Sequence, residues 1–252
     1  MNLKPFLLFL FLSILFGCKK EFKTLSRIEG KRIEINDSLL GNQKIEDFIK
    51  PYREHIEKNL DSVLAYSLDI YTKNDGDLNT TIGNFMADAV YEEANPIFKK
   101  RTGKDIDMVL LNYGGIRSII SKGDVTTRTA YEIMPFENSV VVATLKGSQI
   151  FDMIDYLSEN RKAHPISKLK ITLDKNYNLS EAAIKGKPID SSKTYFVATN
   201  DYLFNGGDSM YFFKPTDSVY VLNYKIRNVL IDAFKHRDTL NLKIDDRFIL
   251  RK

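Results

Sequence analysis

Histidine and cysteine are nearly missing from this sequence, and their scarcity excludes most of the chemistry it could otherwise carry. Only His55, His164 and His236 occur in 252 residues, far apart along the chain. A hydrolytic metal pair needs several histidine and carboxylate ligands to hold two ions a few ångströms apart. No such set assembles from this sequence, and the three read as surface or core histidines. Cys18 is the single cysteine, so the chain depends on no internal disulfide and tolerates an oxidising compartment. No serine sits in a G-x-S-x-G elbow. There is no phosphate-binding P-loop, and GGIR (114–117) lacks the G-x-G-x-x-G spacing of a dinucleotide fold. Autonomous catalysis is not expected, nor is any cofactor or metal in this chain.

A one-sided charge is missing too. The chain has 37 basic and 33 acidic residues, a net +4, with the signs interspersed. That balance points away from nucleic acid as a partner. With 43% hydrophobic and 28% charged residues, the composition fits one globular domain with an appendage.

The appendage is the N-terminus, MNLKPFLLFLFLSILFGCKK. Its apolar run from Pro5 to Phe16 is too short for the roughly 20 residues that span a bilayer, and reads as a secretory h-region. Leu15-Phe16-Gly17-Cys18 resembles a bacterial lipobox, in which the Cys18 thiol is acylated; an ordinary signal peptide with an incidental cysteine is the alternative. The expected layout is a signal peptide at 1–17, a lipid anchor and tether at 18–40, and a domain at 41–252. Lys19 carries no aspartate-type retention signal, so the expected place is the cell envelope, anchored through lipid, at the outer membrane. Two or more acyl chains anchor stably where one does not.

Further along, KRIEIN (31–36) alternates like a strand. Ile45, Phe48, Ile49, Tyr52, Ile56 and Leu60 recur at helical spacing, with Pro51 expected to bend or divide that helix. VLAYSLDIY reads as a strand, and Thr80 or Thr81 caps a helix over about 82–100 that Gly103 ends. DIDMVLLN, NSVVVATLKG, KLKITLD, YNLSEAAIKGKPID and KTYFVATND are strand-like, the last continuing into YLFNGGDSMYFF. TTRTAYEIM, GSQIFDMIDYLSEN and a closing segment over about 222–236 read as helices. Hairpin-like strands mixed with helices, without regular alternation, predict an α+β fold with mixed sheets and flanking helices.

Three corners combine glycine with polar or aromatic side chains. Asn112, Gly114, Gly115 and Arg117 follow the apolar strand MVLL, where glycine lets the backbone approach a ligand and arginine offers a rigid fork. Phe136 follows a proline at a helix end. Tyr202, Gly206, Gly207 and Asp208 form the third. Singly, each reads as readily as a turn with an exposed charge or a core phenylalanine. Together they suit a nucleoside: rings for the base, a carboxylate for ribose hydroxyls and a cation for phosphate.

TIGNFMADAV, LNYGGIR, GDVTTRTAYEIMPFENSVVVATLKGSQI, ATNDYLFNGGD and IDDRF occur in an order and spacing that closely resemble the C-terminal domain of the 5'-nucleotidase family. The resemblance implies that Phe136 and Tyr202 sandwich the base and that Asp208 holds the ribose. It implies further that Asn112 approaches the base and that Arg117 reaches the phosphate. Tyr113 stands where the family usually has the first of three glycines, and is expected to narrow the pocket or add a third ring. Gly76, Asp77, Leu78 and Asn79 stand where the family tends to carry an arginine and a glutamate, which removes one phosphate-binding cation.

The resemblance covers most of residues 41–252, so the family's metallophosphoesterase domain, with its metals and catalytic histidine, is not expected in this chain. The expected partners are therefore a nucleoside or nucleotide ligand, a separate metallophosphoesterase chain carrying any divalent metals, and the membrane. A stand-alone nucleoside-binding lipoprotein and a scaffold with a relic pocket are the alternatives.

Overall fold

A computed structural model describes residues 25–251. The signal-peptide expectation for 1–17 and the lipid attachment at Cys18 lie outside the described residues. Among those described, no helix is long and apolar enough to cross a membrane.

The chain falls into two compact units, one ending at Phe48 and the other starting at Ile49. In the first, KRIEIN forms no strand: Ile33 and Ile35 are exposed, and among the described residues no strand pairs with them. Alternation supplies a face, but a strand also needs a neighbour to complete its hydrogen bonds. Helix α1 (Gln43–Leu60) runs through Pro51 undivided, and none of its residues is buried. The expected buried stripe is thus not formed; Ile45, Phe48, Tyr52 and Ile56 are all more than half exposed.

The second unit continues with β1 (Val63–Ser67), α2 (Thr81–Thr102), β2 (Met108–Leu110), β3 (Gly123–Thr126) and α3 (Thr127–Ile133). Next come β4 (Ser139–Lys146), α4 (Gly147–Asn160), β5 (Ile166–Ser167), β6 (Leu169–Leu173), β7 (Leu179–Ile184) and β8 (Lys187–Pro188). Last are β9 (Thr194–Asn200), the short helix α5 (Asp201–Phe204), β10 (Val219–Lys225), α6 (Ile226–Arg237), β11 (Thr239–Leu240) and β12 (Phe248–Leu250).

Caps set several of these boundaries. Thr80 accepts from the Gly83 N–H at the start of α2, and Gly103 ends that helix at φ 72°, donating to the Lys99 carbonyl. Thr126 and Thr129 close a capping box at α3. The predicted closing helix begins later than expected, because the β-branched and aromatic run Val219-Tyr220-Val221 first pairs with β4. KTYFVATND stops being a strand at Asn200, whose side chain accepts from the Leu203 N–H and starts α5.

The architecture is α+β with mixed sheets, as the sequence predicts. A five-stranded sheet, β10-β4-β9-β2-β5, forms the centre, with a β11-β1-β3 sheet and a β12-β6-β7-β8 sheet beside it. The central sheet separates two apolar cores. Val109, Leu111 and Ala198 face Phe85, Val90, Phe98 and Phe234 on one side. Met108, Leu110 and Val197 face Ile150, Met153 and Phe213 on the other. Burial on both faces explains why MVLL is continuously apolar rather than alternating.

Candidate functional site

Sheet topology brings the three corners to one end of the central sheet. Strands β2 and β9 run parallel, Met108 opposite Val197, so the segments that follow them leave at the same end. Strand β4 is antiparallel to β9 with Val140 opposite Asn200, which sets the loop before β4 beside the start of α5. A cavity of about 600 Å³ lies among them, lined by Asn112, Gly114, Gly115, Arg117, Met134, Phe136, Glu137, Asn138, Tyr202 and Asp208. That volume is within the range of small-molecule sites.

Gly206 and Gly207 are not part of this lining; they shape its wall. Gly206 has φ 92°, a region that favours glycine. A Cβ on Gly207 would fall 2.5 Å from the Tyr202 ring, so the ring rests directly on that glycine. The Tyr202 hydroxyl donates to Asp208 Oδ1 at 2.9 Å and accepts from the Asp208 N–H at 3.3 Å. This hydrogen bond to the carboxylate holds the phenol above its usual pKa. Asn112 Nδ2 donates to the other oxygen, Asp208 Oδ2, at 2.9 Å, and Asn200 Nδ2 reaches Asn112 Oδ1 at 3.5 Å. Asp208 is itself exposed, with φ 52°. Its carboxylate therefore stands at the cavity with both oxygens oriented and with lone pairs left for donors from a ligand.

Beneath this wall Tyr156 donates to the Asp208 carbonyl at 2.8 Å, and its ring lies 5.9 Å from that of His164. His164 is buried and accepts the Tyr113 N–H through Nδ1 at 3.3 Å. Burial pushes its pKa down to about 4, against a smaller opposite pull from Asp208. A neutral imidazole thus underlies the Asn112–Gly115 turn.

The Phe136 side of the cavity is made differently. Phe136 is exposed, and its ring meets the Arg117 guanidinium at 5.8 Å. Its loop is braced from behind: Asn138 Nδ2 donates to Asp201 Oδ1 at 2.9 Å, and Arg227 donates to the Pro135 carbonyl at 3.4 Å. Hydrogen bonds from Lys225 and Arg227 hold the Glu137 carboxyl down to about 2. Arg117 is exposed and touches the Gly114 carbonyl at 3.5 Å.

Tyr113 does not line the cavity, contrary to the expectation that it narrows the pocket or adds a ring. Its hydroxyl donates to Asn74 Oδ1, and the Lys73 ammonium lies 4.5 Å from its ring centroid. Gly76 to Asn79 also serve the scaffold. The Asn79 amide donates to the carbonyls of Asp245 and Phe248 at 3.1 and 3.0 Å. IDDRF is structural as well, with Arg247 bridging Asp88 and Asp245 at 2.9 and 2.7 Å.

Sequence reasoning passed over Asn138, Asn200, Asp201 and Tyr156. The first three sit at a loop end and a strand-to-helix boundary, where Asn and Asp next to an aromatic could have marked a cap. Tyr156 looks like any stripe residue of an amphipathic helix. Among the described residues, no group of three or more His, Cys, Asp or Glu is placed to hold a metal ion. The arrangement can bind a flat ring, a diol and an anion.

The family model described as 5'-nucleotidase, C-terminal domain, matches residues 59–215. The chain is 28% identical over 215 residues to the cell wall protein Lmo0130 of Listeria monocytogenes, covering 69% of this chain and 27% of that one. It is 22% identical to an apyrase of Tabanus yao over 90% of this chain and 45% of that one. Among solved structures, the 5'-nucleotidase precursor from Thermus thermophilus superposes with a TM-score of 0.69 at 21% identity, over 82% of this chain and 43% of that one. The chain thus spans less than half the length of each of these proteins.

Proposed function

The chain belongs to the 5'-nucleotidase C-terminal domain family, and from that membership we propose that it is a nucleotide-binding component of nucleotide catabolism. In this reading a purine or pyrimidine ring lies between Phe136 and Tyr202, the ribose hydroxyls donate to Asp208, and Arg117 meets the phosphate. Asn112 orients Asp208 and borders the base. The observation that carries it is the convergence of Asn112, Gly114, Gly115, Arg117, Phe136, Tyr202 and Asp208 on one cavity from three separate loops.

Hydrolysis of the phosphate ester then belongs to a separate metallophosphoesterase chain, whose divalent metals activate the attacking water while this chain positions the substrate. The site needs no cofactor of its own. The cell envelope is the proposed location, with the lipobox-like Leu15–Cys18 as the anchor; the cell wall protein among the relatives supports it.

Calorimetric titration of the chain from residue 19 onward with AMP and with adenosine tests the binding reading. Binding that falls by about ten- to a hundredfold in Tyr202→Ala, the usual range for one stacked base, is the expected result. No binding of either compound by the unaltered chain overturns it. For the subunit reading, a purified pair that hydrolyses AMP no faster than the metal-bearing chain alone is the contrary outcome.

A further inference from the structure

The carboxylate of Asp208 is carried on a strained backbone. Its turn is left-handed at three of four residues: Gly206 at φ 92°, Asp208 at φ 52° and Ser209 at φ 61°. Glycine accepts such angles freely, whereas residues with a Cβ keep them at a cost and only where their neighbours over-determine the conformation. Two backbone bonds within the turn help, from the Ser209 N–H to the Gly206 carbonyl at 3.2 Å and from the Met210 N–H to the Gly207 carbonyl at 3.1 Å. Neither holds the Asp208 carbonyl. That oxygen is held from outside the turn by the Tyr156 hydroxyl, which donates to it at 2.8 Å.

Tyr156 has the rigidity that such a hold requires. It stands on α4, whose Ile150, Met153, Ile154 and Leu157 are buried in the core on one side of the central sheet, so its own backbone is fixed. Its ring contacts those of His164, at 5.9 Å, and Phe212, at 5.6 Å and edge-on. Burial first, and the Asp208 charge second, raise its pKa, so the phenol keeps the proton it donates. His164 in turn accepts the Tyr113 N–H at 3.3 Å. The two rings therefore hold both of the turns whose side chains, Asn112 and Asp208, meet at 2.9 Å.

We propose that Tyr156 is a positioning residue for Asp208: its hydroxyl fixes the left-handed turn and thereby aims the carboxylate at the vicinal hydroxyls of the ligand. Tyr156 does not line the cavity and acts through the Asp208 backbone. The inference rests on the binding reading above and adds to it the residue on which recognition of the diol depends. Loss of the Tyr156 hydroxyl leaves Phe136 and Tyr202 in place for the base and lets the Asp208 peptide relax, so the carboxylate loses its aim.

Adenosine and 2',3'-dideoxyadenosine share the base and differ in the two hydroxyls, so the ratio of their Kd values reads the aim of Asp208. By calorimetry the unaltered chain should bind adenosine at least about tenfold more tightly than the dideoxy compound. Tyr156→Phe, which keeps the ring and its packing, should weaken adenosine about three- to tenfold and leave dideoxyadenosine within about twofold. Ser209→Gly added to that variant should recover part of the lost ratio, because glycine takes the left-handed angle without a brace. Equal weakening of both ligands in Tyr156→Phe would assign the tyrosine a structural role and overturn the proposal. Unchanged adenosine binding would overturn it too, as would a double variant with no recovery. Equal binding of the two ligands by the unaltered chain would sink this inference and leave the binding of a nucleoside standing. Failure to bind either ligand would sink both.

Discussion

The two walls of the cavity achieve rigidity by opposite means. On the Tyr202 side the functional atoms themselves are tied: the hydroxyl to Asp208, Asp208 to Asn112, and the ring to the bare backbone of Gly207. On the Phe136 side the brace stops at the loop, through Asn138, Arg227 and Glu137, and the side chains that would meet a ligand carry few contacts of their own. The first wall is organised before any ligand arrives, which lowers the ordering cost of binding. The second can settle its ring and guanidinium onto what the first wall has placed. On the proposed binding reading, a stacking site with one fixed and one adjustable face would accept different bases while holding the ribose in one place.

The largest effect should come from below the fixed wall. His164 is neutral when folded, with its pKa pushed down to about 4, against about 6.5 for a free imidazole. Because the unfolded chain takes up the proton first, the stabilisation is full above pH 6.5 and is lost as the pH falls from there to about 4. Lowering the imidazole from about 6.5 to about 4 corresponds to about 3 kcal/mol, at roughly 1.4 kcal/mol for each tenfold change in proton affinity. Urea midpoints measured at pH 7 and pH 4 in the unaltered chain and in His164→Gln separate the imidazole's contribution from the acid loss due to carboxylates. If the variant loses as much stability as the parent, the buried imidazole does not support that wall.

Next in size is Asp208→Ala. It removes the proposed ribose acceptor and unties both Tyr202 and Asn112 at once. A hydrogen bond to a charged group contributes about 1.5–3 kcal/mol, so adenosine binding should fall by roughly ten- to a hundredfold. Phe136→Ala should weaken binding by the lower end of that range, since it takes a ring and leaves the network intact. Equal losses from the two substitutions, measured by calorimetry, would erase the distinction between the walls.

The sequence exposed the site more clearly than the tethers that hold it. Glycines beside aromatics and single charges stand out in LNYGGIR and YLFNGGD because such residues are poor choices for an ordinary strand end. Asn200 and Asp201 were hidden because capping is decided by local backbone geometry, and the strand pattern of KTYFVATND runs into them without a break. Short pairings such as β5, β11 and β12 leave too few residues for any period to show. KRIEIN erred the other way: its alternation is real, but pairing is a tertiary property.

The smallest expected effect is also the sharpest test of the fixed wall. Tyr202→Phe keeps the stacking face and its contact with Gly207 but cuts the bonds to Asp208. Were the ring alone responsible for binding, the substitution would be silent. If the tether matters, Asp208 loses one of its orienting donors, and the ring loses its hydrogen bonds to Asp208. This bond goes to a carboxylate, but both groups are exposed and water competes for it, which cuts its net worth to about 0.5–1 kcal/mol, so adenosine should bind about two- to fivefold more weakly. The loss should appear mainly as a less favourable entropy, because what the hydroxyl supplies is order before binding rather than contact after it. A loss as large as that of Tyr202→Ala would instead place the hydroxyl in direct contact with the ligand, and the Tyr202 wall would then be a polar recognition surface more than a stacking one.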